Sequence, residues 1–294
     1  PKPLVVVTDL ISQGRLVKAE QLCKAFMQKS PRNIEGMRLL ADIGVRLGVL
    51  EEAEFLLESA VEFSPKNTKS RIDYIRVLRK QQKYQEALAH AKILIQQDPH
   101  NPQFQSVFAI ESMQSGDYDT ALATFDSILE ILPEEPVTLT SRGHALKTQG
   151  RANDAIDSYR RAIKKHPAHG EAYYSLANLK LFSFSDTEIA AMESQQNNPS
   201  VSFMSRIYLD FALGKAYEDK GEFDKSFAFY ERGNSYKRSQ SQYKSSELTA
   251  EFHAQTEVFK KSFVKASSGS GFDAPDPIFI LGLPRSGSTL LEQI

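Results

Sequence analysis

An all-α solenoid, followed by the first strand and loop of an α/β segment, is the fold that this sequence predicts. Three observations carry the prediction. Pro31, Pro65, Pro99, Pro133 and Pro167 recur every 34 residues, and Ala19, Ala53, Ala87, Ala121 and Ala155 keep the same spacing. A fixed period of this length means one supersecondary unit copied along the chain, each copy burying its apolar face against the next. The third observation is a change of pattern near the end, where the helical period gives way to an apolar run and a glycine-bearing loop.

Each unit reads as a pair of helices. In a unit starting at Ile34, Leu40 and Ala41 occupy positions 7 and 8, Gly48 position 15, Leu50 position 17, Ala53 position 20, Ala60 position 27 and Pro65 position 32. The small residue at position 8 lets two antiparallel helices cross, and the one at position 20 lets the second helix meet the next unit. Glycine near position 15 ends the first helix without a Cβ penalty, and proline near position 32 stops the second. Large residues at the remaining inward positions fill the space between helices.

The period breaks after Ala177 and returns at Ile207, with Leu213, Gly214, Tyr217, Gly221, Phe223 and Tyr230 in register. Between the two, Ser185–Asp186–Thr187–Glu188 reads as a capping box that opens a helix running to about Gln195. Residues 1–240 are therefore expected to hold about seven helical pairs, irregular over 178–206. A capping helix from about Ser246 to Lys265 follows, with Leu248, Phe252, Phe259 and Phe263 on its apolar side, and then a Ser/Gly linker within 241–272. Residues 273–294 begin a different fold.

Composition narrows the function classes. Basic and acidic side chains number 36 and 37, which removes the bulk-charge argument for nucleic-acid binding. The single cysteine, Cys23, cannot form an internal disulfide and falls at a packing position, which suits a reducing, cytoplasmic setting. No apolar run reaches the about 20 residues of a membrane span. The histidines show no metal-ligand spacing, and no metal is expected. The chain starts at a proline and stops at Ile294 inside a helical pattern, so it reads as a piece of a longer protein.

Along the first helix of each unit, positions 2, 5, 9, 12 and 13 form an inner face. They hold Arg38, Asp42 and Arg46, then Lys69, Arg76, Arg79 and Lys80, then His144 and Lys147, then Tyr174 and Asn178. The basic excess suits a groove that receives an acidic protein segment. A merely solvated helical face fits the same residues.

Near the end, Pro277–Ile278–Phe279–Ile280–Leu281 reads as a strand leading into Gly282–Leu283–Pro284–Arg285–Ser286–Gly287–Ser288–Thr289 and then a helix. Strand, glycine loop and helix together aim backbone N–H groups at a phosphate or sulfate. The spacing matches the loop of nucleoside-triphosphatases, except that Ser288 stands where that loop requires lysine. Without the lysine an ordinary ATPase is disfavoured, while Arg285 offers a planar fork for phosphate or sulfate oxygens. A plain turn whose glycines serve only geometry is the alternative.

The 34-residue units resemble tetratricopeptide repeats, which implies a right-handed superhelical solenoid that binds proteins in its concave groove. The grip on a terminal carboxylate known from some such domains is not reproduced. The string PIFILGLPRSGSTLLEQI resembles the 5′-phosphosulfate-binding loop of the sulfotransferase superfamily, with Ser288 in place of the first of two threonines. Ser175–Leu176–Ala177–Asn178–Leu179–Lys180 and Phe184–Ser185–Asp186 are similar to segments of bacterial proteins that join the two parts.

The resemblance implies a sulfotransferase using 3′-phosphoadenosine 5′-phosphosulfate (PAPS) as co-substrate, held by Arg285, Ser286, Gly287, Ser288 and Thr289. Arg285 would also offset charge on the bridging oxygen as the sulfuryl group leaves. In that family the 3′-phosphate site and the acceptor's base lie downstream of this point, and Glu292 does not match the base. The 294 residues by themselves are thus expected to be inactive. A non-catalytic interaction scaffold is the alternative reading.

Overall fold

The computed structural model describes residues 2–240, 243–271, 278–283 and 286–292. Contacts divide the chain into two units, Pro1–Lys237 and Arg238–Ile294.

The first unit is a run of helical hairpins. They are α1 (Lys2–Ser12) with α2 (Leu16–Lys29), α3 (Ile34–Leu47) with α4 (Leu50–Phe63), and α5 (Thr68–Lys80) with α6 (Tyr84–Gln97). Then come α7 (Pro102–Gln114) with α8 (Tyr118–Ile131) and α9 (Pro136–Thr148) with α10 (Ala152–Lys165). Each helix packs on its neighbour in sequence, and more loosely α1 touches α3, α3 touches α5 and α7 touches α9.

The periodic alanines do what the spacing predicts. Ala19, Ala53, Ala87, Ala121 and Ala155 are all 0% exposed, so no larger side chain fits without displacing a helix. Position 8 behaves alike: a Cβ placed on Gly143 would collide with the ring of Tyr159, and one on Gly214 with the ring of Tyr230. The helix caps keep the same period. Asn33, Asn67 and Asn101 are N-caps whose side chains accept from the N–H groups of Gly36, Ser70 and Gln103. Each satisfies a helix-start donor that burial would otherwise orphan.

Turns between paired helices use the left-handed region at position 15. Gly48, Gly116 and Gly150 have φ of +82°, +87° and +78°, and in the α5–α6 turn Gln82 takes φ +62° at the same place. Gln82 therefore accepts a backbone conformation that L-residues avoid.

The irregular stretch is the part where the period predicts nothing. The next helix, α11 (Gly170–Ala177), has 8 residues, and a non-helical segment leads to α12 (Asp186–Ser194). The expected capping box is present: Ser185 accepts from the Glu188 N–H and Glu188 accepts from the Ser185 N–H. Phe182 and Phe184 meet edge to face and join Ile189, Met192 and Val201 in the largest apolar cluster. That cluster continues into α13 (Phe203–Asp219), so the interruption is filled with apolar side chains. Arg206 donates to the carbonyls of Gln196 and Asn198 at 2.7 and 2.8 Å, tying down the connecting loop. The unit closes with α14 (Phe223–Gln240).

In the second unit the single helix expected over 246–265 is two, α15 (Ser245–Val258) and α16 (Lys261–Ala266). Lys260 adopts an extended backbone, φ −74° and ψ 159°, so the helical ladder stops and restarts there. Neither helix buries a residue. The expected strand is also not formed over the described part of its range. Residues 278–282 have no regular structure, and Ile278, Phe279 and Leu281 are 88%, 83% and 90% exposed. A strand needs a partner to take its N–H and C=O groups, and the described residues include none. The short helix α17 (Ser288–Glu292) follows.

Candidate functional site

The inner-face residues come from the first helix of successive hairpins, where positions 2, 5, 9 and 12 or 13 project to the same side. The structure brings those of α3 and α5 together. The Nε and Nη2 atoms of Arg38 donate to Asp73 Oδ2 at 2.9 and 2.6 Å, and its Nη1 donates to Glu35 at 2.7 Å. Arg76 reaches the other Asp73 oxygen at 3.3 Å. Arg46 pairs with Asp42 at 3.1 Å, and Arg79 with Glu111 of α7 at 3.3 Å. Lys69, Lys80 and Lys147 form no ion pair among the described residues.

The basic excess expected of this face is partly offset from within. Four of its arginines already have carboxylate partners within the protein. Glu35, at position 2, is three residues before Arg38 on the same helix, a pairing readable from sequence. Asp73 lies 35 residues beyond Arg38 and becomes its partner only through the packing of one unit on the next.

Between α3 and α5 lies a well of about 240 Å³, floored by Leu39, Val45, Leu57 and Val77 and edged by Arg38, Asp73, Arg76 and Lys80. Glu111 of α7, fully buried, has its carboxyl pushed up to about 7 by burial, with the Arg79 charge pulling the other way.

Farther along, the face turns aromatic. Tyr174 of α11 packs on Tyr208 and Phe211 of α13 with ring centroids 5.1 and 6.1 Å apart, and Phe211 approaches Tyr230 of α14 at 6.3 Å. With Asn178 and Lys215, the rings of Tyr174, Phe211 and Tyr230 line a second cavity of about 360 Å³. Asn178 donates to the Tyr174 carbonyl at 2.9 Å. Tyr174 and Asn178 are inner-face residues expected from the sequence; Tyr208 and Phe211 were not among them, although they stand at positions 2 and 5 of the unit that starts at Ile207. His144 is half-buried, its Nε2 3.0 Å from Ser175 Oγ, and burial followed by the Lys147 charge lowers its affinity for a proton.

At the other end of the chain, Arg285 lies outside the described residues. Gly287 has φ +92°, and α17 opens at Ser288. The Ser286 N–H donates to the Leu283 carbonyl at 3.1 Å, and a Cβ on Gly282 would collide with the Ser286 hydroxyl. That hydroxyl ends an exposed side chain and can rotate aside, and Thr289 is exposed as well. Among the described residues no group of three or more His, Cys, Asp or Glu could hold a metal ion. No helix there is long and apolar enough to cross a membrane.

A run of helical hairpins with buried small residues at each crossing and a lined inner face is a repeat solenoid. The chain carries tetratricopeptide repeats: the family model "Cytochrome c-type biogenesis protein H TPR domain" matches residues 23–138, and tetratricopeptide-repeat models match 140–179 and 211–240. A tetratricopeptide repeat protein from Parabacteroides merdae has the same fold, with TM-score 0.59 and 20% identity over 85% of this chain and 95% of that one. PilF of Pseudomonas aeruginosa superposes with TM-score 0.55 and 15% identity over 75% of this chain and 96% of its own.

Among curated proteins, an uncharacterized protein of Aquifex aeolicus is 28% identical over 151 residues, 51% of this chain and 19% of its own length. Human tetratricopeptide repeat protein 6 is 28% identical over 120 residues, 41% of this chain and 23% of its own. The match thus spans about a fifth of the length of these relatives.

Proposed function

We propose that the repeats form a docking scaffold whose inner face receives a protein segment, and that the scaffold serves a PAPS-dependent sulfotransferase. The observation that carries the docking part is the lined face itself: an apolar well between α3 and α5 and an aromatic cavity at α11–α14 open on the same helix positions. Such concave, largely apolar sites with a few placed charges are where ligands bind. The surplus of arginine and lysine over the face's own carboxylates favours an acidic segment. A photocross-linking residue placed at Tyr174 or Lys80 is expected to capture a partner, and one at Phe55, on the second helix of its hairpin, is not. Equal capture from all three positions would remove the inner face as the docking surface.

The catalytic part rests on the Gly282–Thr289 string and its likeness to the phosphosulfate loop. In this reading the Ser286, Ser288 and Thr289 hydroxyls and the Gly287 N–H hold the 5′-phosphosulfate of PAPS, and Arg285 offsets the charge on the bridging oxygen. The sulfur–oxygen bond to that bridging oxygen breaks. A bond from sulfur to an acceptor oxygen or nitrogen forms, the acceptor proton passes to a base, and 3′-phosphoadenosine 5′-phosphate leaves. The docked segment would carry or present the acceptor. Calorimetric titration of 3′-phosphoadenosine 5′-phosphate into the full-length protein is expected to show saturable binding that Arg285→Ala abolishes. Absence of binding, or binding indifferent to that substitution, rejects sulfuryl transfer and leaves the scaffold without it.

A further inference from the structure

We infer that the well between α3 and α5 takes one apolar side chain of the docked segment, and that acidic residues flanking that side chain meet Arg76 and Lys80. The inference rests on the docking reading of the inner face and specifies its partner.

Three features of the well lead there. The floor of Leu39, Val45, Leu57 and Val77 offers nothing to a polar group. Its volume of about 240 Å³ is below the about 300 Å³ at which sites for free small molecules begin, so a side chain fits it better than a metabolite. The rim is charged unevenly. Asp73 gives its two short bonds to Arg38, which leaves Arg76 a longer 3.3 Å contact and a side chain 60% exposed. Lys80, one turn further along α5, has no ion pair among the described residues. On the facing helix Asp42 is matched by Arg46. Every carboxylate at the well is thus engaged, while two cations on the α5 side are under-compensated.

A cationic side chain would meet Arg76 and Lys80 at a cost. A purely apolar one would leave both charges unused beside a newly desolvated floor. A nucleic acid would find no aromatic ring in the well on which to stack a base. An apolar residue set among Asp or Glu satisfies floor and rim together.

The test is fluorescence anisotropy on the full-length protein with a fluorescein-labelled synthetic peptide in which Glu and Asp flank a single Leu. Three probes accompany it: the same peptide with Ser for Leu, the same with Lys for each acid, and an oligothymidylate. The acidic Leu peptide is expected to bind at least about tenfold more tightly than any of these. Arg76→Glu with Lys80→Glu, both exposed and checked for folding by circular dichroism, is expected to weaken it about tenfold or more, while Lys164→Glu does not. Equal binding of the Ser peptide or the oligothymidylate, or an unchanged affinity in the double variant, overturns the inference. Preference for the Lys peptide keeps the face as a docking surface and overturns only its partner. No binding by any peptide removes the well as a site, whereas cross-linking at Tyr174 then decides the fate of the face.

Discussion

Arg79 of α5 holds its guanidinium Nε 3.3 Å from the carboxylate of Glu111 on α7, and Glu111 is completely buried. Both Glu111 oxygens lack a hydrogen-bond partner, so one ion pair of moderate length stands against complete desolvation.

The consequence is a pH dependence with a definite sign. The Glu111 carboxyl is pushed up to about 7 from 4.5, so between those values the folded chain binds a proton that the unfolded chain has lost. Stability from this group is highest below about pH 4.5 and falls as pH rises toward 7. Glu111→Gln is expected to raise Tm at pH 8 and to leave it nearly unchanged at pH 5, as thermal melts at the two pH values would show. A variant less stable at pH 8 would mean that the Arg79 pair outweighs desolvation.

Gln82 is the one non-glycine residue with positive φ among the described residues. Gln82→Gly is expected to stabilise the protein by about 1 kcal/mol, because the left-handed region costs an L-residue about that much. Urea denaturation measures it. Destabilisation would mean that the Gln82 side chain makes a contact worth more than the strain.

Gly143 faces the ring of Tyr159 at a helix crossing. Gly143→Ala is expected to cost about 1–3 kcal/mol by overpacking, more than alanine's better helix propensity returns. Pairing it with Tyr159→Leu should recover part of the loss in a double-mutant cycle. Strict additivity would show that the two do not meet.

Arg206 satisfies the carbonyls of Gln196 and Asn198. Arg206→Met keeps the stem and removes both bonds, and limited proteolysis is expected to cut first within 195–201. Resistance equal to the parent would place the loop's anchor elsewhere.

The fold was legible wherever the helical period ran. Spacing alone located the buried alanines, the crossing glycines and the turn at position 15, since each is a local steric demand. The helix at 186–194 was legible for another reason: Ser185 and Glu188 cap it within four residues. What escaped was whatever depends on packing between units. Asp73 as the partner of Arg38, and the packing of Tyr174 against Tyr208, join residues about one period apart. The break at Lys260 had no proline or glycine to announce it. The expected strand failed because strand formation is a property of a sheet and not of five residues.

Each substantial helix contact in the repeats joins a helix to the next one or the one after it. No early segment must wait for a distant one to arrive, so topology favours rapid assembly. Hairpins can settle one upon another while the ribosome is still adding residues, and the inner face would then be finished before the carboxyl end leaves the exit tunnel.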